Sequence, residues 1–367
     1  MSMCVRVRSQ SGYTLIELLI STAIMVTVTG AIFSLMNPAQ GSAQTQPEVA
    51  DMQQRLRVGQ ETLFKELVMS GAGPYQGATT GSLVSFFAPI IPRRTGRLNP
   101  DPTQGAASFR PNAITLAYIP NSYSQSTIRQ AMPPQSVELK VTDQPNCPRR
   151  DPLCGFVTGM SVIIFDNTGH FDTFTITNTQ SDAAHLQHRG QNLSHTYVVG
   201  ASVTQIVSHT YYLDTVTNQL MRYDGDSTDI ALVDNVVDLE FQYFGDPNPP
   251  KNPKPPAGLA NCLYDAAGNY TAAMATLALQ DGSFAELTKP LLTDGPYCGS
   301  GSNQFDADLL RVRKVRVLLR VQAAKPSLRG TDAALFKLPG SAAGGERYVP
   351  DYRVAFDVVP RNLNLAR

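Results

Sequence analysis

The chain has 367 residues, with 30 basic and 30 acidic side chains, so its formal net charge at neutral pH is zero. No global field draws it to nucleic acid or to an anionic lipid surface. A hydrophobic share of 42%, with 15 Phe and 14 Tyr, supplies a large core, and the length allows one large or two small soluble domains.

Residues 1–12 form a short segment that carries Arg6 and Arg8 and no acid. From Tyr13 to Met36 the chain is apolar or small, with Glu17 as its one charge. At about 1.5 Å per residue this run spans roughly 36 Å, enough to cross a bilayer. A carboxylate inside such a span costs about 2.5 to 3.5 kcal/mol even on mild insertion scales, so something must offset it. A secretory signal peptide has a shorter apolar core, about 7 to 15 residues, and a small-residue exit site. This run is longer and no Ala-x-Ala follows it. A plain signal anchor accounts for the length but for neither Glu17 nor Gly12.

The order Gly12-Tyr13-Thr14-Leu15-Ile16-Glu17-Leu18-Leu19-Ile20 resembles the class III leader junction of type IV pilins and type II secretion pseudopilins. Tyr13 stands where that family usually has Phe, which keeps the ring and adds a hydroxyl suited to a membrane interface. The resemblance implies cleavage between Gly12 and Tyr13 by a prepilin peptidase, then methylation of the new α-amine of Tyr13. It also implies that Glu17 pairs with the α-amine of a neighbouring subunit and sets register in the assembled filament. The basic leader fits retention on the cytoplasmic side. The soluble domain is then expected on the periplasmic side of the inner membrane, before the subunit joins a pilus at the cell surface.

After the span, Asn37-Pro38 is expected to bend or break the helix, so that 13–36 is the membrane and assembly helix and 37–70 a linker plus an amphipathic helix. Val49, Met52, Leu56, Leu63 and Leu67 recur at helical spacing and predict a stripe that needs a partner. Ser70-Gly71-Ala72-Gly73-Pro74 stops the pattern. Residues 71–367 read as one β-rich domain. Strands are predicted at 82–88, 113–119, 136–141, 159–166, 171–178, 202–213, 219–223, 236–244, 312–321 and 352–359. Val237, Leu239, Phe241 and Tyr243 alternate with Asp238, Glu240 and Gln242, and the basic face of 313–320 could meet that acidic face if the two strands pair. Strands without alternating helices argue for an antiparallel sheet.

Cys4 belongs to the leader. Cys147, Cys154, Cys262 and Cys298 remain, an even number that suggests two disulfides in an exported domain, with sequential pairing preferred among three possibilities. Pro247 to Pro256 predicts an extended, stiff spacer opening a Pro-rich insertion over 245–300. The stretch from Gly330 to Arg347 reads as another loop.

In the soluble part, Thr210-Tyr211-Tyr212-Leu213, Asn218-Gln219-Leu220-Met221-Arg222-Tyr223 and Leu232 to Tyr243 follow one another in an order similar to the PilW family of minor pilins. Leu310 to Val317 and Val359-Pro360-Arg361-Asn362-Leu363 extend the likeness. It is looser to the J-type minor pseudopilin of type II secretion. The resemblance implies a pilin-like α+β fold: a long N-terminal membrane-spanning helix packed on an antiparallel β-rich periplasmic domain with loop insertions. It also implies a minor pilin that helps to initiate or cap a type IV pilus. Its partners would be major and minor pilins (or pseudopilins), the prepilin peptidase, the inner membrane and the assembly platform.

Other local signals are weaker. Asp224-Gly225-Asp226-Ser227-Thr228-Asp229 offers oxygen ligands like the start of a calcium loop, but Asp229 and Asn235 stand where an EF-hand wants Gly and Glu, and a polar turn is preferred. His185, His188 and His195 lack a zinc-binding helix motif. Arg93, Arg94 and Arg97 have no aromatic interleaving, so no nucleic-acid partner is expected, although a DNA-binding or adhesive tip is an alternative. No catalytic motif stands out. The expectation is no enzyme, no metal and no cofactor, with a membrane-tethered exported enzyme as the competing class.

Overall fold

The computed structural model describes residues 12–75, 81–96, 101, 105–144, 147–148, 150–280, 282–342 and 348–365. The leader residues 1–11 and Arg97 lie outside them. The chain divides into two compact units, residues 1–52 with 323–350, and residues 53–322 with 351–367. One helix, α1 (Leu15–Met69), runs through both parts of the N-terminal region. The expected break at Pro38 is therefore absent. A proline removes a single rung of the ladder, and the apolar run before it and the amphipathic run after it both favour helix.

In the first unit, the backbone amide of Ala324 donates to Glu48 Oε1 (2.6 Å). The 323–350 segment has its own small apolar cluster, with Leu328, Phe336 and Val349 buried and Tyr348 set edge-on to the Phe336 ring at 5.7 Å.

In the second unit the strands are β1 (Ile90–Ile91), β2 (Ala113–Tyr118), β3 (Gln125–Thr127), β4 (Glu138–Lys140), β5 (Ser161–Phe165), β6 (Phe171–Thr175), β7 (Asn178–Gln180), β8 (His185–Gln187), β9 (Ser202–Gln205), β10 (Val207–Asp214), β11 (Gln219–Tyr223), β12 (Asp229–Asp234), β13 (Val236–Gly245), β14 (Ala285–Leu287), β15 (Tyr297–Cys298), β16 (Phe305–Asp306), β17 (Val312–Val321) and β18 (Tyr352–Val358). Every pairing is antiparallel. The fold is thus an N-terminal helix followed by an antiparallel β domain, a pilin-like α+β arrangement.

Two sheets carry the helix. The first runs β1-β2-β10-β11-β12 and the second β14-β13-β17-β18. They join at Asn235, whose left-handed φ of 57° is one that Asn tolerates better than most residues. The buried stripe of α1 in this unit is Gly59, Leu63, Leu67 and the following Ser70, with Leu56 half-buried. Gly59 fits where a larger residue would not: a Cβ there would sit 2.8 Å from Leu319 Cδ2, with Val233 and Leu220 next nearest. The helix therefore faces both sheets at this position. Glu66 ties it to the first sheet, accepting from Tyr118 Oη (3.4 Å) and meeting His209 Nδ1 at 3.2 Å. Asn362 Nδ2 donates to the last helical carbonyls, Val68 and Met69.

Each sheet has a hairpin that has been opened. β2 and β10 pair from Ala113↔Tyr212 to Tyr118↔Val207, and residues 119–206 leave from their shared end. β13 and β17 pair as far as Gly245↔Val312, and residues 246–311 leave from that end. Gly245 is required at the exit, because a Cβ would run into the Arg311 carbonyl. The first excursion is a module with its own sheets, β3-β9-β5-β6 and β4-β8-β7. Its core includes Leu139, Phe156, Ile164, Phe174, Leu186 and Tyr197. The second excursion has little regular structure. Fully buried Arg311 holds it, donating to Pro247 O (3.2 Å) and Ala275 O (2.9 Å).

Several sequence expectations change in detail. Residues 82–88 contain a single 3-10 turn, Leu83–Ser85, capped by Ser82, rather than a strand. The 171–178 run divides between β6 and β7, and 202–213 divides at Ile206, where the chain passes from the module's sheet to the first sheet. The strands at 236–244 and 312–321 do pair, with Asp238 opposite Arg320. Arg320 Nε also meets Asp351 (2.8 Å), and Arg316 Nε and Lys314 Nζ meet Asp357 (2.7 and 3.3 Å).

Candidate functional site: the first turn of the N-terminal helix

Leu15 to Met36 is long and apolar enough to cross a membrane, and none of it is buried by the rest of the protein. Within the span, four hydroxyls are satisfied locally: Ser21 donates to Glu17 O, Thr22 to Leu19 O, Thr27 to Ala23 O and Ser34 to Ala31 O. Such back-bonding removes the desolvation cost of a hydroxyl in lipid. Glu17 is the span's one charge.

Its setting is a capping box. Thr14 precedes the helix, and Glu17 is the third helical residue. Glu17 Oε2 accepts from the Thr14 amide (2.9 Å) and from Thr14 Oγ1 (2.8 Å), and the Glu17 amide donates back to Thr14 Oγ1 (3.3 Å). This satisfies two otherwise orphaned donors and places the negative charge at the positive end of the helix dipole. The sequence reading missed the part played by Thr14, although Thr-x-x-Glu before an apolar run is its signature. Both carboxylate bonds fall on Oε2.

Tyr13 precedes this turn with its side chain 91% exposed. Gly12 stands next to it in open space: a Cβ there would meet nothing within 4 Å, and its φ is not in the left-handed region. The fold itself does not require glycine at position 12.

The remaining sequence candidates fall elsewhere in the structure. Cys147 is bonded to Cys154 and Cys262 to Cys298, one disulfide in each excursion. The Asp224 stretch is the turn between β11 and β12, and Asp224 Oδ1 accepts from the amides of Asp226, Ser227 and Thr228, which holds its carboxyl below the usual range despite partial burial. The three histidines go to separate partners. His185 faces Glu138 at 3.5 Å, His188 bonds to Gln191 O through Nδ1 at 2.9 Å, and His195 stacks on His170 with centroids 3.7 Å apart. Arg93 is buried and donates to Gly105 O and Gln304 O. Arg94 lies over the Tyr212 ring at 4.7 Å and near Asp229 at 3.9 Å. Neither guanidinium is presented for phosphate.

Two features had no signal in the sequence. Asp172 is a buried carboxylate at the seam of the two excursions. It accepts from the Ser194 amide (2.9 Å), Ser194 Oγ (3.1 Å), Tyr197 Oη (2.9 Å) and Asn303 Nδ2 (2.7 Å). Burial raises its carboxyl against the pull of those donors. Asp294, Asp306 and Asp308 bring carboxylate oxygens within 4.8 Å of one another. There Asp308 is ion-paired with Arg311 (2.8 Å) and pushed up to about 7 by burial, while Asp306 accepts from the amides of Asp308 and Gly295. Within the cluster, Asp306 is thus held by two backbone amides and Asp308 by the Arg311 charge.

Residues 7–33 match the model of the prokaryotic N-terminal methylation motif. No curated protein matches the chain. The motif and the apolar helix together support a type IV pilin-like family, pilin or pseudopilin, whose motif is structural rather than enzymatic. They fit a subunit anchored in a membrane that then assembles with other pilins after processing by a prepilin peptidase.

Proposed function

We propose that this protein is a minor pilin of a type IV pilus, acting in assembly initiation or at the tip. Cleavage falls between Gly12 and Tyr13, and the new α-amine of Tyr13 is methylated. Glu17 then meets the α-amine of a neighbouring subunit, which neutralises both charges in the filament core. The large domain stands on the periplasmic side until assembly carries it to the cell surface.

The observation that carries this reading is the first turn of α1. A charged side chain sits in an apolar helix with one local partner among the described residues, Thr14. The glycine before it answers to no packing need, as a cleavage site would. The minor, terminal role rests on the two excursions, 119–206 and 246–311, which add bulk that a regular shaft would have to accommodate in every subunit. The order of β10, β11, β12 and β13, with the residues quoted above, favours a PilW-like subunit over a J-type pseudopilin of type II secretion.

Mass spectrometry of the protein from its native host tests the processing. The expected N-terminus is a methylated Tyr13; a chain that still begins at Met1 contradicts it. Immunogold labelling at filament ends supports the tip role, and labelling along the whole shaft contradicts it.

A further inference from the structure

Two sheets of the second unit line one cleft with the faces they turn away from their own cores. In the module, Val162 and Ile164 of β5 and Phe174 of β6 belong to the core. Ser161, Thr173 and Thr175 therefore lie on the reverse face, with Ile163. In the first sheet, His209 of β10 meets Glu66 on the helix side, so Ser208 and the paired Ala117 lie on the reverse face. The cleft between these faces holds about 700 Å³. That is within the range of small-molecule sites, about 300 to 1,000 Å³.

The charged side chains of the lining already have partners inside the protein. Arg93 donates to two backbone carbonyls, Arg94 meets Asp229, and His209 meets Glu66. Asp172 accepts four hydrogen bonds, Asp224 accepts from three amides, and Asp226 is also engaged. The uncharged groups differ. Among the described residues, the side chains of Ser161, Thr173, Asn192, Ser208 and Ser302 make no hydrogen bond, and all five line the cleft. Such a surface is not the rule in this chain. The outward face of the second sheet carries Asp238, Glu240, Arg316, Arg320, Arg353 and Asp357.

We propose that this cleft binds a short neutral saccharide. Hydroxyl and amide side chains both donate and accept, as the hydroxyls of a sugar do. Free groups of this kind stand on both walls, Ser161 and Thr173 on one and Ser208 on the other. A charged ligand would lose its water here and find no free counter-charge. A peptide or lipid would need apolar pockets for its side chains or tails. The apolar residues of the lining offer little surface for that: Phe87, Ile163 and Ile206 are 1%, 1% and 4% exposed. The site does not depend on the pilin reading.

An array of immobilised ligands, incubated with the full-length protein in a detergent without a sugar headgroup, is the test. It carries neutral oligosaccharides, sialylated and sulfated oligosaccharides, and uncharged peptides of similar size. The expected result is binding to neutral oligosaccharides about tenfold or more above the other two classes. Thr173→Val and Ser208→Ala each remove, from opposite walls, a hydroxyl that bonds to nothing in the protein. Their thermal midpoints should match the wild type, and each should weaken binding about tenfold, or about 1.4 kcal/mol. If one variant misfolds, the other decides; if both do, the wild-type array decides alone. No neutral oligosaccharide bound, or acidic sugars or peptides bound as well, overturns the inference. Wild-type affinity in both folded variants overturns it too.

Discussion

Two carboxylates of this protein, Glu17 and Asp172, are placed where water is scarce, and they are served very differently. Asp172 lies between the two excursions and accepts four hydrogen bonds from three residues, divided over both of its oxygens. Glu17 lies at the start of an apolar span and, among the described residues, has Thr14 alone, on one oxygen. The chain is able to satisfy a buried acid completely, and it does so at the seam. At the membrane it leaves the acid with capacity to spare. The difference is what the proposed pairing of Glu17 with a neighbouring subunit would account for.

Breaking the membrane side of this comparison should have the largest effect. Gly12→Val places a branched side chain at the proposed cleavage position without disturbing the fold, since the site is open. The expected outcome is accumulation of uncleaved precursor, read as the intact mass. Normal maturation would separate the glycine from processing.

The seam comes next. Asp172→Ala leaves the donors of Ser194, Tyr197 and Asn303 unpaired in a buried place, and should cost about 3 kcal/mol of stability. Chemical denaturation of the purified protein measures this. Asp172→Asn keeps the shape and part of the acceptor capacity, so its loss should be smaller. Equal stability of all three proteins would show that the seam does not hold the excursions together.

A smaller effect is expected from the capping box. Thr14→Ala removes the side-chain half of the Glu17 contact and should cost the first helical turn about 1 kcal/mol. Amide exchange at residues 15–18 in detergent would report it, with faster exchange expected in the variant.

The smallest effect concerns pH. Burial depresses the imidazoles of His188 and His170, and for His170 the neighbouring His195 adds to this. A histidine whose folded value lies below its unfolded one, about 6.5, stabilises the protein above that pH. The benefit is lost as pH falls through 6.5 towards the folded value. The thermal midpoint of the wild type should therefore drop between pH 7 and 5.5 by more than that of His188→Gln. Buried Asp308, raised to about 7, works in the opposite direction over a similar range, which is why the comparison is made against a histidine variant.

The sequence carried the membrane span and most of the ladder because both are short-range patterns. An apolar run is visible residue by residue, and the alternation around Leu239 and Phe241 survives as buried positions in β13. Gly59 was invisible because glycine adds nothing to an apolar stripe, yet it is where the helix faces Leu319, Val233 and Leu220 of the two sheets. The apolar run of β5, Val162 to Phe165, does not reveal whether that strand joins the helix-bearing sheets or a separate module, because both bury apolar side chains. Asp172 and Asn303 meet across 131 positions of sequence, and only the opening of two hairpins brings them together. Pro38 misled for a local reason: its effect on a helix is strong when flanking propensity is weak, and here both flanks favour helix.

The account stands or falls on the charge of Glu17, and Glu17→Gln isolates that charge. Glutamine at this position retains the capping-box contact to Thr14 and is cheaper to place in lipid. Quantifying full-length Glu17→Gln in sheared filaments against its level in the membrane is the direct measurement. The account predicts a variant that inserts and matures normally yet is depleted from filaments by about tenfold or more, the factor for each 1.4 kcal/mol of lost coupling. Incorporation at the wild-type ratio would contradict it.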